Sequence, residues 1–392
     1  MKMLKKSPSK IYHTWRKNWP TLKGIFLNSY PSFVTRNTDH LTQEIPVFTF
    51  HDIIEDVFAH QLEFLSQNGY NTIDCDTLWE MIIGNNEIPP KTVLLSFDDG
   101  YQSLYTTAFP LLKKHHLKAV AFICPGLLTE EKVTTSSDEH PHITWNEARQ
   151  MQKDGVIDFQ SHTMYHDMVF TSFNLLDFIH PKKELFFENT HIPLFRNPLN
   201  QSLPLSHREG GFPLFKASMK MNGKQKIIID PELVKLCREI IKNNGDDTFF
   251  YKHDWFNLLY SPVKNYLQNN KRSLSFEPLA KTKEDIYSDL LKSKTIIEKK
   301  LTKHVSHLAY PLYVGSTLSV KASQKAGYKT NFWGVLWGKK TNRNDKKPYH
   351  ITRLSDFYIY RLPGVGRKPL MHIMKEHGKK NVGKFLKRNN FS

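Results

Sequence analysis

An apolar run over 93–97 ends on two adjacent carboxylates and a glycine, in the order Ser96-Phe97-Asp98-Asp99-Gly100. Neighbouring acids are costly to leave uncompensated, so a cation is expected beside them. Consecutive side chains at a strand end diverge, and the two acids are expected to divide the work, one binding a metal and the other staying free to take a proton. Further along, the strand-like run Val156-Ile157-Asp158-Phe159-Gln160-Ser161 leads into His162-Thr163-Met164-Tyr165-His166. Two imidazoles four residues apart can share a helical face. With one Asp oxygen they supply three ligands to a Zn-like ion and leave positions open for water and substrate, as metal-assisted hydrolysis requires.

For these groups to meet, the chain must bring both segments to the same end of one sheet. The patterning supplies such a sheet. A strand over 46–50 is followed by a helix near 56–68, where Phe58, Leu62 and Leu65 recur at three- and four-residue spacing. Next come the strand over 93–97, a helix over 104–115, a strand over 119–123, a helix from Trp145 and the strand over 156–161. Repeated βα units imply an α/β fold with a parallel sheet, and ligands then collect at the carboxyl ends of its strands, where the Asp pair and the His pair fall. The stretch after His166 reads differently. It carries Pro193, Pro198, Pro204 and Pro213, a helix opened by Asp230 as N-cap and Pro231 in its first turn, a second helix over 253–267, and a further helix over 285–301. Within it Phe215, Trp255 and Phe256 are candidates to stack on sugars or to fill a small core, and His191, His207 and Arg208 are candidates for sugar or phosphate contacts.

With these pieces in order, the chain resembles the NodB-homology polysaccharide deacetylases, metal-dependent carbohydrate esterases marked by S/T-F-D-D-G and H-S/T-x-x-H segments. Ile143-Thr144-Trp145-Asn146-Glu147, Leu308-Ala309-Tyr310-Pro311 and Ala326-Gly327-Tyr328 are also similar to pieces of this family. The resemblance covers roughly 45–167 and 280–360. It implies a distorted, incomplete (β/α) barrel, Asp98 as general base, and Asp99, His162 and His166 as ligands of a divalent metal, Zn2+ first, with Co2+ or Ni2+ as alternatives. Ile45-Pro46-Val47-Phe48-Thr49-Phe50-His51-Asp52 resembles the opening of the branch that deacetylates poly-N-acetylglucosamine, which implies that His51 is the general acid. Two places depart from the family pattern. Ala309 stands where an Arg is usual, so Arg353 of His350-Ile351-Thr352-Arg353-Leu354 is expected to orient Asp98 instead. Leu312 replaces an aromatic, but the group needed there is a backbone N–H for the developing oxyanion, which Leu312 still offers, and Tyr313 is expected to restore the aromatic wall.

The expected organisation is a basic N-terminal segment (1–40), a barrel (41–167 and 281–370), an insertion at the active-site mouth (168–280) that shapes substrate choice rather than chemistry, and a basic tail (371–392). The apolar content of 39% suffices for a core, and no run of apolar residues is long enough to span a bilayer. The first residues lack the apolar stretch of a signal peptide, and Cys75, Cys124 and Cys237 form no CxxC pair, so the expected location is the cytoplasm or the inner face of the membrane. Net charge is +17, of which residues 1–40 contribute +7 and 339–392 contribute +12. Basic ends on a near-neutral body suit an anionic lipid surface or simple solvation, and nucleic acid is not expected because no recognised module or aromatic-interleaved basic strand is present. Trp15, Trp19 and Phe26 give the first segment an amphipathic or packing role. The resulting expectation is removal of N-acetyl groups from an amino-sugar glycan, polymeric or lipid-linked. O-deacetylation, deformylation, or a non-catalytic glycan- or membrane-binding role are the alternatives.

Overall fold

Runs of β-branched and aromatic residues bounded by polar turns form eight strands that pair side by side in parallel: β1 (Val47–Phe50), β2 (Asn71–Thr72), β3 (Thr92–Asp99), β4 (Ala119–Ile123), β5 (Ile157–Ser161), β6 (His307–Ala309), β7 (Thr330–Phe332) and β8 (Leu354–Ser355). The computed structural model describes residues 29–41, 43–84, 87–132, 141–181, 210–272 and 274–375, with the backbone of two short strands at Phe195–Arg196 and Ser202–Leu203. The order along the sheet is β7-β6-β5-β4-β3-β1-β8, with β2 on β3. The two edges of this curled sheet meet through a single segment. Ile351 pairs with Phe332 of β7, while Leu354 pairs with Phe48 of β1. The result is the expected α/β architecture, a distorted parallel barrel whose seam is the short stretch 351–355.

The described residues fall into two compact units, one drawn from 29–162, 294–309 and 328–375, the other from 163–293 and 310–327. In the first, β1, β3 and β4 are buried on both faces, which explains their near-continuous apolar sequence. Phe50 stacks on Phe97 at 5.0 Å, and Phe58, from the helix Glu55–Gln67, meets both rings edge-on. Burying each such side chain stabilises the fold by roughly 1.5–3 kcal/mol. The expected helix over 104–115 is two pieces, a π-helical turn at Leu104–Ala108 and an α-helix at Phe109–Lys114. Pro110 has no N–H and crowds the carbonyl four residues before it, and a widened turn relieves that clash.

The second unit has its own core, which includes Phe178, Leu214, Phe215, Leu233, Phe249, Leu259 and Val263. A long antiparallel pair, Met168–Phe178 with Pro213–Met219, forms its spine. Asp230 caps the helix Pro231–Asn243 by accepting the Glu232 N–H at 3.0 Å, as its sequence announced, and the helix expected over 253–267 spans Trp255–Asn269. Among the described residues no helix is long and apolar enough to cross a membrane. Trp15, Trp19, Phe26, Pro193, Pro198, Pro204, His191, His207, Arg208 and the tail from 376 lie outside the described residues.

The turn that ends β3 depends on Gly100. Its φ of +80° lies in the left-handed region, and an added Cβ would stand 3.0 Å from Ile123 Cγ2. Gly100→Ala is expected to lose about 1–2 kcal/mol of unfolding free energy in urea titrations, from the left-handed backbone alone. Wild-type stability in that variant would show that the turn is not held where the structure has it.

Candidate active site

Asp98 is the penultimate residue of β3, and its side chain is 2% exposed. A charge so placed survives only with a partner. Arg353, 255 residues away and just before β8, supplies it with two parallel hydrogen bonds, Nη1 to Oδ1 at 2.7 Å and Nη2 to Oδ2 at 2.9 Å. The guanidinium is itself fixed, donating from Nε to the Trp333 carbonyl at 3.0 Å and lying over the Phe122 ring. Burial alone would raise the Asp98 pKa, but the charges of Arg353, His162 and His51 outweigh it and hold the carboxyl below its ordinary value. Asp98 is therefore ionised at neutral pH.

Asp99 is the next residue, with a left-handed φ of 71°, and both carboxylates reach one imidazole, Asp99 Oδ1 at 3.4 Å and Asp98 Oδ2 at 3.9 Å from His162 Nε2. The chemistry-bearing atoms of Asp99, His162 and His166 lie within 4.8 Å of one another. His162 directly follows β5, and its Nδ1 is 2.9 Å from the Ala309 carbonyl at the end of β6. A carbonyl only accepts, so Nδ1 carries the hydrogen and Nε2 faces Asp99 Oδ1 at 3.4 Å. Fixing one ring nitrogen so that the other points into a donor cluster is how metal-binding imidazoles are oriented. One carboxylate and two imidazoles fit Zn2+, Co2+ or Ni2+. The electrostatics agree with a site for positive charge. Burial disfavours the charged imidazole, yet Asp98 and Asp99 together raise the His162 pKa above its ordinary value. Tyr101 donates a hydrogen bond to Asp99, and burial together with that carboxylate pushes its phenol pKa up.

The helical face considered for the His pair is absent. His162 to His166 is an irregular turn, with left-handed φ at Thr163 (70°) and His166 (60°), and the His166 N–H reaches back to Thr163 Oγ1 at 3.3 Å. His51 follows β1 and is exposed, close enough for its charge to act on Asp98. Leu312 lies in the second unit on the short turn Pro311–Tyr313, with left-handed backbone at Leu312 and Tyr313. Phe215 is fully buried in the core of its own unit and offers no face to a sugar, and Trp255 and Phe256 pack against that core. Sequence reasoning missed the Ala309 carbonyl, which no side-chain pattern signals, and Tyr101, whose position just after the Asp pair was a usable clue.

The sequence profile of the family described as Polysaccharide deacetylase matches residues 85–181. That stretch carries Asp98, Asp99, His162 and His166 but not His51, Leu312 or Arg353. The chain is 26% identical over 263 residues to the poly-beta-1,6-N-acetyl-D-glucosamine N-deacetylase of Staphylococcus epidermidis, covering 62% of this chain and 82% of that protein. It is 29% identical over 137 residues to the enzyme of the same name from Escherichia coli K12, covering 33% of this chain and only 20% of that protein's length. The solved BpsB deacetylase domain from Bordetella bronchiseptica aligns over 79% of this chain and 95% of that domain, with 17% identity and a TM-score of 0.48.

Arg353→Met is expected to cost roughly 3–5 kcal/mol in denaturant unfolding, because Asp98 is then a buried charge without its main partner. Adding Asp98→Asn should recover much of that loss. A single variant as stable as the wild type would mean that the paired hydrogen bonds constrain nothing.

Proposed function

We propose that this chain, which belongs to the polysaccharide deacetylase family, is a metal-dependent hydrolase that removes N-acetyl groups from a glycan containing N-acetylglucosamine. The observation that carries the reading is the buried, ionised Asp98 clamped by Arg353 immediately beside the donor set of Asp99, His162 and His166. Two relatives are named as deacetylases of poly-beta-1,6-N-acetyl-D-glucosamine, which favours a β-1,6-linked polymer as substrate.

Amide hydrolysis asks for a nucleophilic water, stabilisation of the oxyanion, and a proton for a leaving amine that would otherwise depart as a poor anion. A divalent ion held by Asp99, His162 and His166 would lower the pKa of water and polarise the acyl oxygen. Asp98, kept ionised by Arg353, takes the proton of the attacking water. Arg353 engages both its oxygens, so the carboxylate keeps one orientation throughout. His51, exposed at the end of β1, donates a proton to the sugar nitrogen and can exchange protons with solvent. The Leu312 N–H is assigned to the developing oxyanion. The departure from the family pattern at Ala309 favours a non-catalytic protein, and Arg353 answers it by supplying a guanidinium to Asp98 from another part of the chain.

Asp98→Asn is expected to lower acetate release from poly-N-acetylglucosamine by about 10²–10⁴-fold while leaving roughly one bound metal per chain. His162→Ala with His166→Ala should lose the metal as well. Undiminished acetate release by Asp98→Asn would remove the proposed base. The basic ends extend the reading to a peripheral position on an anionic membrane face, worth about 1 kcal/mol per Lys or Arg near the surface. Co-sedimentation with phosphatidylserine vesicles should then appear at low salt and vanish at high salt, and equal binding to neutral vesicles would count against it.

A further inference from the structure

The turn that delivers His166 is strained. Thr163 and His166 both hold left-handed φ, at 70° and 60°, and such residues persist only where the surroundings over-determine them. The anchors come from two distant places. Asp289, on the helix Leu279–Leu301 and only 1% exposed in its side chain, accepts the Met164 N–H at Oδ1 (2.9 Å). Its other oxygen receives Lys220 Nζ at 2.8 Å, and the same ammonium lies 3.7 Å from Asp167 Oδ2. Lys220 also donates its backbone N–H to the Asp167 carbonyl at 3.0 Å.

Lys220 stands where the long strand pair closes. Met168 pairs with Met219, so the spine of the second unit starts two residues after His166 and ends one residue before Lys220. The chain that leaves the turn and the chain that returns to it are thus fastened together at the ligand. We infer that Lys220 and Asp289 are positioning residues that hold the 163–167 turn, and with it His166, in ligating geometry, so that the 168–219 excursion completes the metal site instead of serving substrate choice alone. This rests on the metal-site reading above. A ligand whose backbone is held by an ion pair needs no rearrangement on binding, whereas a slack turn must be ordered at the expense of affinity.

The probe is Zn2+ alone, titrated against a competing chelator into full-length apoprotein, with circular dichroism and thermal melting recorded on the same samples. Lys220→Met with Asp289→Leu removes the partly buried ammonium, its buried carboxylate partner and the acceptor of the Met164 N–H together, without stranding Asp289 as an unpaired charge. It is expected to weaken Zn2+ binding by about 10- to 100-fold with secondary structure unchanged. Lys220→Arg, which keeps a cation between Asp167 and Asp289, should recover most of the affinity lost in Lys220→Gln. Should the double variant fail to fold, this Arg–Gln comparison decides the matter by itself. A folded double variant with wild-type Zn2+ affinity, or equal affinities for the Arg and Gln variants, overturns the inference. Absence of Zn2+ binding by the wild type would instead sink the metal-site reading, since that result does not involve Lys220 or Asp289.

Discussion

The bidentate pair between Asp98 and Arg353 is the constraint around which the first unit is arranged. Two fully buried charges are tolerated only with near-ideal geometry, and here both hydrogen bonds are short and the guanidinium is further held by a carbonyl and an aromatic face. Arg353 also sits in the one segment that touches both edges of the curled sheet, through Ile351 on β7 and Leu354 on β1. Closing the barrel and orienting Asp98 are therefore one event. A seam of few backbone hydrogen bonds gains from an ion pair anchored across it, and the acid gains a partner that no neighbouring strand provides.

The same economy shows in the donor set. β3, β4 and β5 run in register, so the C-terminal ends of β3 and β5 bring Asp99 and His162 to the same level of the sheet. β6, paired to β5 at Leu308 and Ser161, then offers the Ala309 carbonyl to the His162 ring. A parallel sheet aligns all its carboxyl ends on one side, which is why residues far apart in sequence converge there. His166 lies beyond the last strand residue and cannot be placed by register. Its backbone is bent into left-handed conformations and tied down: the His166 N–H donates to Thr163 Oγ1, the Met164 N–H donates to Asp289, and the Asp167 carbonyl accepts from the Lys220 N–H.

Much of this was legible in the sequence by itself. β-branched and aromatic runs against three- and four-residue spacing marked β1, β3, β4, β5 and the helices between them within a few residues, and apolar strands ending on acids and imidazoles marked the chemistry. The Asp230 cap and Pro231 opened a helix as written. Those features are local, set by side-chain type and chain period. What only the tertiary structure decided is how each buried charge would meet its long-range partner. The departure at Ala309 pointed to Arg353 as the partner of Asp98, but only closure of the barrel supplied the geometry, two parallel hydrogen bonds that no residue pattern specifies. The Ala309 carbonyl, the left-handed turn at Thr163 and His166, and the Lys220–Asp289 tie carry no sequence signature, because backbone groups look alike at every position and a Lys or Asp on a helix reads as solvated surface. Local physics fixes which residues stand at the ends of strands; burial then selects among distant charges, since an unpaired one inside the fold costs more than any local preference can recover.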